Sequence, residues 1–320
     1  MKNTHRYIIL IVLFAIFSGC KTTSKTSKNF KLIFEDTNNF WKMYDKVKLI
    51  ENDKNRIEII ENDYLKKANL GLKLLIKKDK LTAISYNKQL KDTVFYNSIR
   101  QTTINIQSDS VKIRNYTSQF EKLYPQAVFS DIHFVVGQFK HGGTVIKGNT
   151  IIEIQKNAKT ETTKSEFLRL DNLIDYNSFI SLIIHEQVHI NQKKGLQFYL
   201  SNNLLTSTLS EGSADFIMFL ITKQLPSYIR KTYVYGNEHE YELWLKFKKD
   251  LKNDYKKIRN DWLYNPNRKD IPPDLGYFMG FKICEKYYTE SSDKIKAIEF
   301  ILNGNNYSKM IEQSHYNGGK

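Results

Sequence analysis

The stretch "SLIIHEQVHINQ" places two imidazoles, His185 and His189, four residues apart, with the carboxylate of Glu186 directly after the first. On an α-helix the two histidines share one face one turn apart and can converge on one ion; Glu186 lies beside the open coordination position, where a carboxylate can take a proton from water. A catalytic zinc site needs a third protein ligand and keeps one position open. "LSEGSADFIMFL" offers that ligand in Glu211, and residues 190–210 leave room for a helix end, a reversal through Gly195 and a second antiparallel helix starting near Thr206 or Ser207. Asp215 follows Glu211 by four, on the same face, where it can accept a hydrogen bond from the remote nitrogen of a ligating histidine and fix its tautomer. Gly212, Ser213 and Ala214 are small enough to let the two helices approach closely. The competing reading is a buried amphipathic helix with incidental histidines. The second motif, at this spacing, favours the metal.

The rest of the chain supplies a setting for two such helices. Phe40, Trp41, Tyr44 and Val47 recur at helical spacing behind Asp36 or Thr37 as a cap, and Ile57, Ile60, Tyr64, Leu65 and Ala68 do so on a second helix. After "FEKLYPQA" the pattern changes. "IHFVVG" (132–137) and "NTIIEIQ" (149–155) are short β-branched segments, joined by "QFKHGGTVIKG", whose glycines supply turns. From Asn177 helical patterns return, broken at Lys193-Lys194-Gly195, at Pro226 and between Pro266 and Pro273. The expected fold is α+β, predominantly helical, with a small sheet preceding the helix of the histidine pair. Residues 30–120 read as mainly helical, and 121–320 as carrying the sheet and the site.

Lys2 and Arg6 precede an unbroken apolar stretch from Tyr7 to Phe17, followed by Ser18-Gly19-Cys20. That stretch is too short to span a bilayer, which takes about 20 residues, and reads as a signal peptide over residues 1–19. Small residues before a cysteine resemble a lipobox, which makes Cys20 the lipidated first residue of a membrane lipoprotein. An ordinary signal peptide is the alternative. "KTTSKTSKN" then makes residues 20–29 the lipidated cysteine and a polar tether, with one folded domain over 30–320. The expected location is the cell envelope, most simply the outer membrane, periplasmic or surface-facing. Cys284 is the only other cysteine; in an apolar helical pattern it reads as a buried small hydrophobe. The net charge of +15 comes from scattered lysines with no arginine-rich or aromatic-interleaved stripe, which favours lipid headgroups and solvated faces and argues against nucleic acid.

With these motifs the chain resembles the gluzincin branch of zinc metallopeptidases. It is also similar, more narrowly, to the DUF2268 domain family of predicted zinc-dependent proteases, which includes lipoproteins described as related to gliding motility. The resemblance runs through "NNFWKMYDK", "KLYPQAVFSDIHFVVGQFKHGGT", "HEQVHINQ", "EGSADFIMFLI", "YVYGNEHEYELWLKF", "DWLYN", "PPDLGYFMGFKI" and "DKIKAI", from about residue 31 to 316. It implies a zincin-like fold and one zinc ion per chain, with His185, His189 and Glu211 as ligands, Glu186 as general base and Asp215 behind a ligating histidine. Peptide-bond hydrolysis by this chemistry wants a donor for the developing oxyanion. Tyr235, His239 and Tyr277 are the candidates, while His141 reads as a loop residue. "GGTVIKGNTIIEIQ" is either the sheet edge that receives an extended peptide or an ordinary hairpin. The expected partners are a peptide or protein substrate and a membrane reached through Cys20. A non-catalytic reading stays open: a zincin-fold envelope lipoprotein serving as scaffold or binding module in motility or secretion.

Overall fold

The strands among the described residues are few and short, and they gather in one sheet. In the computed structural model, which describes residues 25–200, 203–264 and 271–320, β1 (Leu32–Ile33), β2 (Ile132–Val135), β3 (Gly143–Ile146) and β4 (Asn149–Glu153) form a sheet of order β1-β2-β4-β3. β1, β2 and β4 are parallel, and β3 runs antiparallel along one edge. Lys147 and Gly148 both take left-handed backbone, with φ of 48 and 73°. That is the two-residue turn whose twist matches antiparallel strands, and it pairs Ile146 with Asn149. Every residue of β2 is buried, as expected of a strand covered on both faces.

Helices supply the cover. α1 (Glu35–Val47), α2 (Asp53–Ile60), α3 (Leu70–Asp79), α4 (Ala83–Gln89), α5 (Thr93–Asn105) and α6 (Ser110–Leu123) precede β2. After β4 come α7 (Phe179–Asn191), α8 (Leu196–Leu200), α9 (Leu204–Thr222), α10 (Ser227–Glu238), α11 (Glu240–Asp250), α12 (Tyr255–Trp262), α13 (Leu275–Glu290), α14 (Lys294–Leu302) and α15 (Tyr307–Ser314). The strand's period of two sets which helix meets which face. His133 points at α3, where a Cβ on Gly71 would lie 2.2 Å from its own Cβ, while Phe134 points at Phe179 of α7, with ring centroids 6.0 Å apart. The early helices lock onto the sheet through Tyr64 and Tyr86, whose hydroxyls donate to the Val136 carbonyl at 2.8 and 2.7 Å. The α+β, predominantly helical expectation holds.

Three local expectations need correction. Asp36 and Thr37 do not cap α1 but lie inside it, buried; Asp36 accepts from Asn69 N at 2.8 Å and Thr37 donates to Phe134 O at 2.9 Å. α9 begins earlier than expected, because Asn203 accepts from Thr206 N at 2.9 Å and starts the helix at Leu204. The polar stretch read as tether is fastened from Lys25 onward: Lys25 pairs with Asp131, its carbonyl accepts from Phe129 N at 2.9 Å, and buried Ser27 donates to Glu121. The leader and Cys20 lie outside the described residues. Cys284 is fully buried, and burial pushes its thiol well above the ordinary range.

Beyond the sheet, α9 packs between α7 and α13. A Cβ on Gly212 would sit 2.3 Å from the Gly280 carbonyl carbon, and one on Gly280 2.1 Å from Thr208 O. The backbones of α9 and α13 touch at this point, so no side chain fits between them. The small residues of "EGSAD" thus admit a close approach, but Gly212 meets α13 rather than α7. Glu211, one residue away, and Tyr277 on the facing helix both line the same cleft.

Candidate metal centre

α7 is held by buried amides within and just after its histidine pair as much as by its apolar face. Ile183, Ile184 and Val188 are buried, and the buried amides of Gln187 and Asn191 clamp the helix to the chain entering β2. Gln187 accepts from Ser130 N at 3.0 Å and donates to the Ser130 and Thr150 hydroxyls, each at 3.1 Å. Asn191 accepts from Val128 N and donates to Val128 O, both at 2.8 Å. A buried amide with its bonds made fixes register, whereas an unpaired one would cost stability.

So clamped, α7 turns His185 and His189 toward Glu211 of α9. His185 Nε2 lies 3.1 Å from His189 Nε2 and 3.5 Å from Glu211 Oε2, and His189 Nε2 lies 3.3 Å from the same oxygen. Zinc bonds of about 2.0–2.1 Å in a tetrahedron put donor atoms roughly 3.3–3.4 Å apart. The three atoms therefore already mark one face of such a tetrahedron. Their outward partners fix their polarity. His185 Nδ1 donates to Asp215 Oδ1 at 2.8 Å, and Tyr233 donates to the other Asp215 oxygen at 2.9 Å. His189 Nδ1 donates to Gln192 Oε1 at 3.1 Å, an oxygen that also accepts from the Ser210 hydroxyl at 3.0 Å, while Gln192 Nε2 donates to Ser213 Oγ at 3.0 Å. Tyr264 donates to Glu211 Oε1 at 3.0 Å, leaving Oε2 for the histidines. With both Nδ1 atoms donating outward, the two Nε2 atoms and a carboxylate oxygen converge, an arrangement satisfied by a shared proton or by a metal ion. The donor set and its spacing fit zinc.

The charges respond to this crowding. Burial opposes ionisation at His185, but its bonds to Asp215 and Glu211 outweigh it and hold the imidazolium well above the ordinary histidine range. Burial likewise pushes Glu211 up, and the two histidines override it and hold the carboxyl well below. Glu186 ends differently. Burial holds its carboxyl above the usual glutamate range, against the opposing pull of His189 and His185. A buried carboxylate of raised basicity, off the donor triangle and in the same cleft, is placed to accept a proton.

The cleft measures about 690 Å³ and is lined by Glu186, the three donors, α10, α13 and β3. Residues 152–303 match the DUF2268 family model, a predicted Zn-dependent protease. No curated protein and no solved structure matches the chain. The DUF2268 match takes in both histidines, Glu186, Glu211 and Asp215, and begins within β4, so α1 to α6 and the edge strand lie outside it.

The edge strand lines the cleft, from outside the matched residues. The bond from Glu153 N to Gly142 O, 3.1 Å, sets the alternation of the antiparallel ladder. It leaves the peptide groups of Gly143 and Val145, both cleft residues, facing the open edge. Gly143 abuts Glu186: a Cβ there would lie 2.7 Å from its Cγ. Of the three expected oxyanion donors, only Tyr277 reaches the cleft. Its ring stacks 6.4 Å from that of His185, and burial, then the charge of Glu211, keeps its phenol protonated. Tyr235 and His239 are not cleft residues. They stack on each other at 4.3 Å, with His239 Nδ1 3.2 Å from Glu242. α10 turns Tyr228 and Tyr233 inward, and Tyr235, two residues past Tyr233, is carried about 200° around the helix. His141 lines the cleft and faces Asp79. Gln192, Tyr233, Tyr264 and Tyr228, whose buried hydroxyl has no hydrogen-bond partner among the described residues, are among the site residues the sequence reading missed.

Proposed function

We propose that this chain is a zinc-dependent metallopeptidase, anchored to a membrane through lipidated Cys20, that hydrolyses peptide bonds with Glu186 as general base. The observation that carries the reading is the donor triangle of His185, His189 and Glu211, with separations of 3.1, 3.3 and 3.5 Å. The family description, a predicted Zn-dependent protease, supports the same reading. A zinc ion held there would supply Lewis-acid activation of water and of the scissile carbonyl.

The chain's own groups divide the remaining work. An extended peptide adds to β3 through the outward peptide groups of Gly143 and Val145, which sets its carbonyl beside Glu186. Glu186 takes the proton of the attacking water and returns it to the leaving amine. The Tyr277 phenol, held protonated, donates to the oxyanion as it develops. Asp215 and Gln192 keep both histidines in the tautomer that aims Nε2 inward.

Metal analysis and peptide cleavage test the reading together. The purified chain is expected to bind about one equivalent of zinc and to lose it in His185→Ala. A mixed peptide library should be cut by the wild type and left intact by Glu186→Gln with its zinc retained. Folded wild-type protein that takes up no zinc would overturn the metal reading. Zinc-loaded protein that cuts nothing would leave the fold as an envelope binding module.

A further inference from the structure

One end of the cleft carries two lysines and a histidine, the latter held toward its neutral form by burial and by the lysines, that neither hold the metal nor move a proton. Lys78 lies in the last turn of α3, His141 in the loop entering β3, and Lys156 ends the short turn of helix after β4; all three line the cleft. They form one group. Both lysines act on His141, and Lys78 acts on Glu186, which puts the cluster next to the base.

The nearby acids are committed elsewhere. The buried Glu153 carboxylate, which also acts on Lys156, accepts from Phe139 N at 2.8 Å, His141 N at 2.9 Å and Gln155 Nε2 at 2.9 Å. Asp79 faces His141, with its Oδ2 3.2 Å from Nε2. Lys78 meets only a neutral acceptor, the Thr144 hydroxyl at 2.8 Å. Lys156 makes no ion pair with a described residue, and burial holds its amine below the usual lysine range. The part-buried Lys156 ammonium, with no such pairing, is unfavourable unless an anion joins it, and the exposed Lys78 adds a second positive charge to the same lining.

The geometry points to a carboxylate-binding subsite formed by Lys78, Lys156 and His141 beside the start of β3. A peptide lying along that strand presents to it either an aspartate or glutamate side chain or its own C-terminal carboxylate. The inference rests on the peptidase reading for its substrate and names the class of peptide preferred.

The test uses the purified full chain with zinc and a set of fluorogenic alanine-based decapeptides. Each carries Glu, Gln or Lys at successive positions, with a free or amidated C terminus. Peptides with a well-placed carboxylate should show kcat/KM at least tenfold above their neutral partners, carried mainly by KM. In Lys78→Glu/Lys156→Glu the preference should turn toward Lys-bearing peptides, with zinc content unchanged and the protein still folded at the assay temperature, although a second carboxylate beside buried Glu153 lowers Tm; Lys156→Ala, a milder change, should only abolish it. A preference that follows Glu whatever the terminus identifies the side chain, and one lost on amidation identifies the C-terminal carboxylate. Equal rates for Glu and Gln and for both termini, or a preference that survives the double charge reversal, would overturn the subsite. If the wild type cuts no peptide, the peptidase reading fails by itself, and anisotropy of the labelled peptides on the Glu186→Gln protein decides the subsite. Carboxylate-dependent binding that Lys156→Ala loses would sustain it; equal binding of all peptides would remove it.

Discussion

Gly143→Ala probes whether the edge strand sets the position of the base. A Cβ at this residue would lie 2.7 Å from Glu186 Cγ and 2.8 Å from its Oε1. Contacting carbon atoms settle at about 3.5–4.0 Å, so the strand and Glu186 must part by roughly 1 Å. The backbone raises no objection, since Gly143 is not among the residues of positive φ. Misplacing a reacting group by that distance costs on the order of 100-fold in rate, or about 2.7 kcal/mol of transition-state stabilisation. Glu186 is not one of the three donors, so zinc content should stay at the wild-type value. The assay is kcat/KM on a fluorogenic peptide, with metal content and Tm measured on the same preparation. Gly142→Ala serves as the comparison, because its Cβ would meet the ends of Ile174 and Leu182 at 2.6 and 3.1 Å, and these apolar tips can yield. Cleavage by a fully metallated Gly143→Ala within about threefold of wild type, far short of the loss expected from a misplaced base, would show that the position of Glu186 does not depend on this contact.

Three further outcomes follow from distances already described. Asp215→Ala leaves His185 Nδ1 and the Tyr233 hydroxyl without their shared acceptor, and zinc affinity should fall about 10–100-fold in a chelator competition. Tyr277→Phe should lower kcat by about 100-fold with KM and zinc content nearly unchanged in steady-state kinetics, and an unaltered kcat would remove the phenol from the reaction. Gly280→Ala forces α9 and α13 apart, since its Cβ would sit 2.1 Å from Thr208 O; thermal unfolding should register a loss of about 1–3 kcal/mol or more.

What the sequence disclosed was the part of the site carried by helical repeat. His185, Glu186 and His189 on α7, and Glu211 and Asp215 on α9, follow from spacings of three and four residues and from the ligand count of zinc. Gln192 obeys the same rule, three residues past His189 at the end of α7, and that spacing could have found it. Tyr264 could not be found this way. It reaches Glu211 across 53 residues of sequence, and no local periodicity encodes such a contact. Tyr235 and His239 had the right residue types downstream of the motif, but the phase of α10 turns them away from the cleft. Lys25 and Ser27 looked solvated by composition, while their partners Asp131 and Glu121 lie 106 and 94 residues further on. Polar composition indicates what a segment can tolerate, not which distant acid it meets.

Convergent lone pairs also make this a place where protons and metal exchange. In the metal-free protein Asp215 and Glu211 hold the His185 imidazolium well above the ordinary histidine range despite its burial, so near neutral pH a proton occupies a nitrogen that zinc requires. Zinc uptake must expel it. Apparent affinity should therefore climb about tenfold per pH unit while that proton is being displaced, and level off once the pH passes the His185 value. Calorimetry in two buffers of different ionisation enthalpy would count the protons released. On the zinc reading, uptake at this site strengthens as the surroundings turn alkaline and weakens as they turn acid.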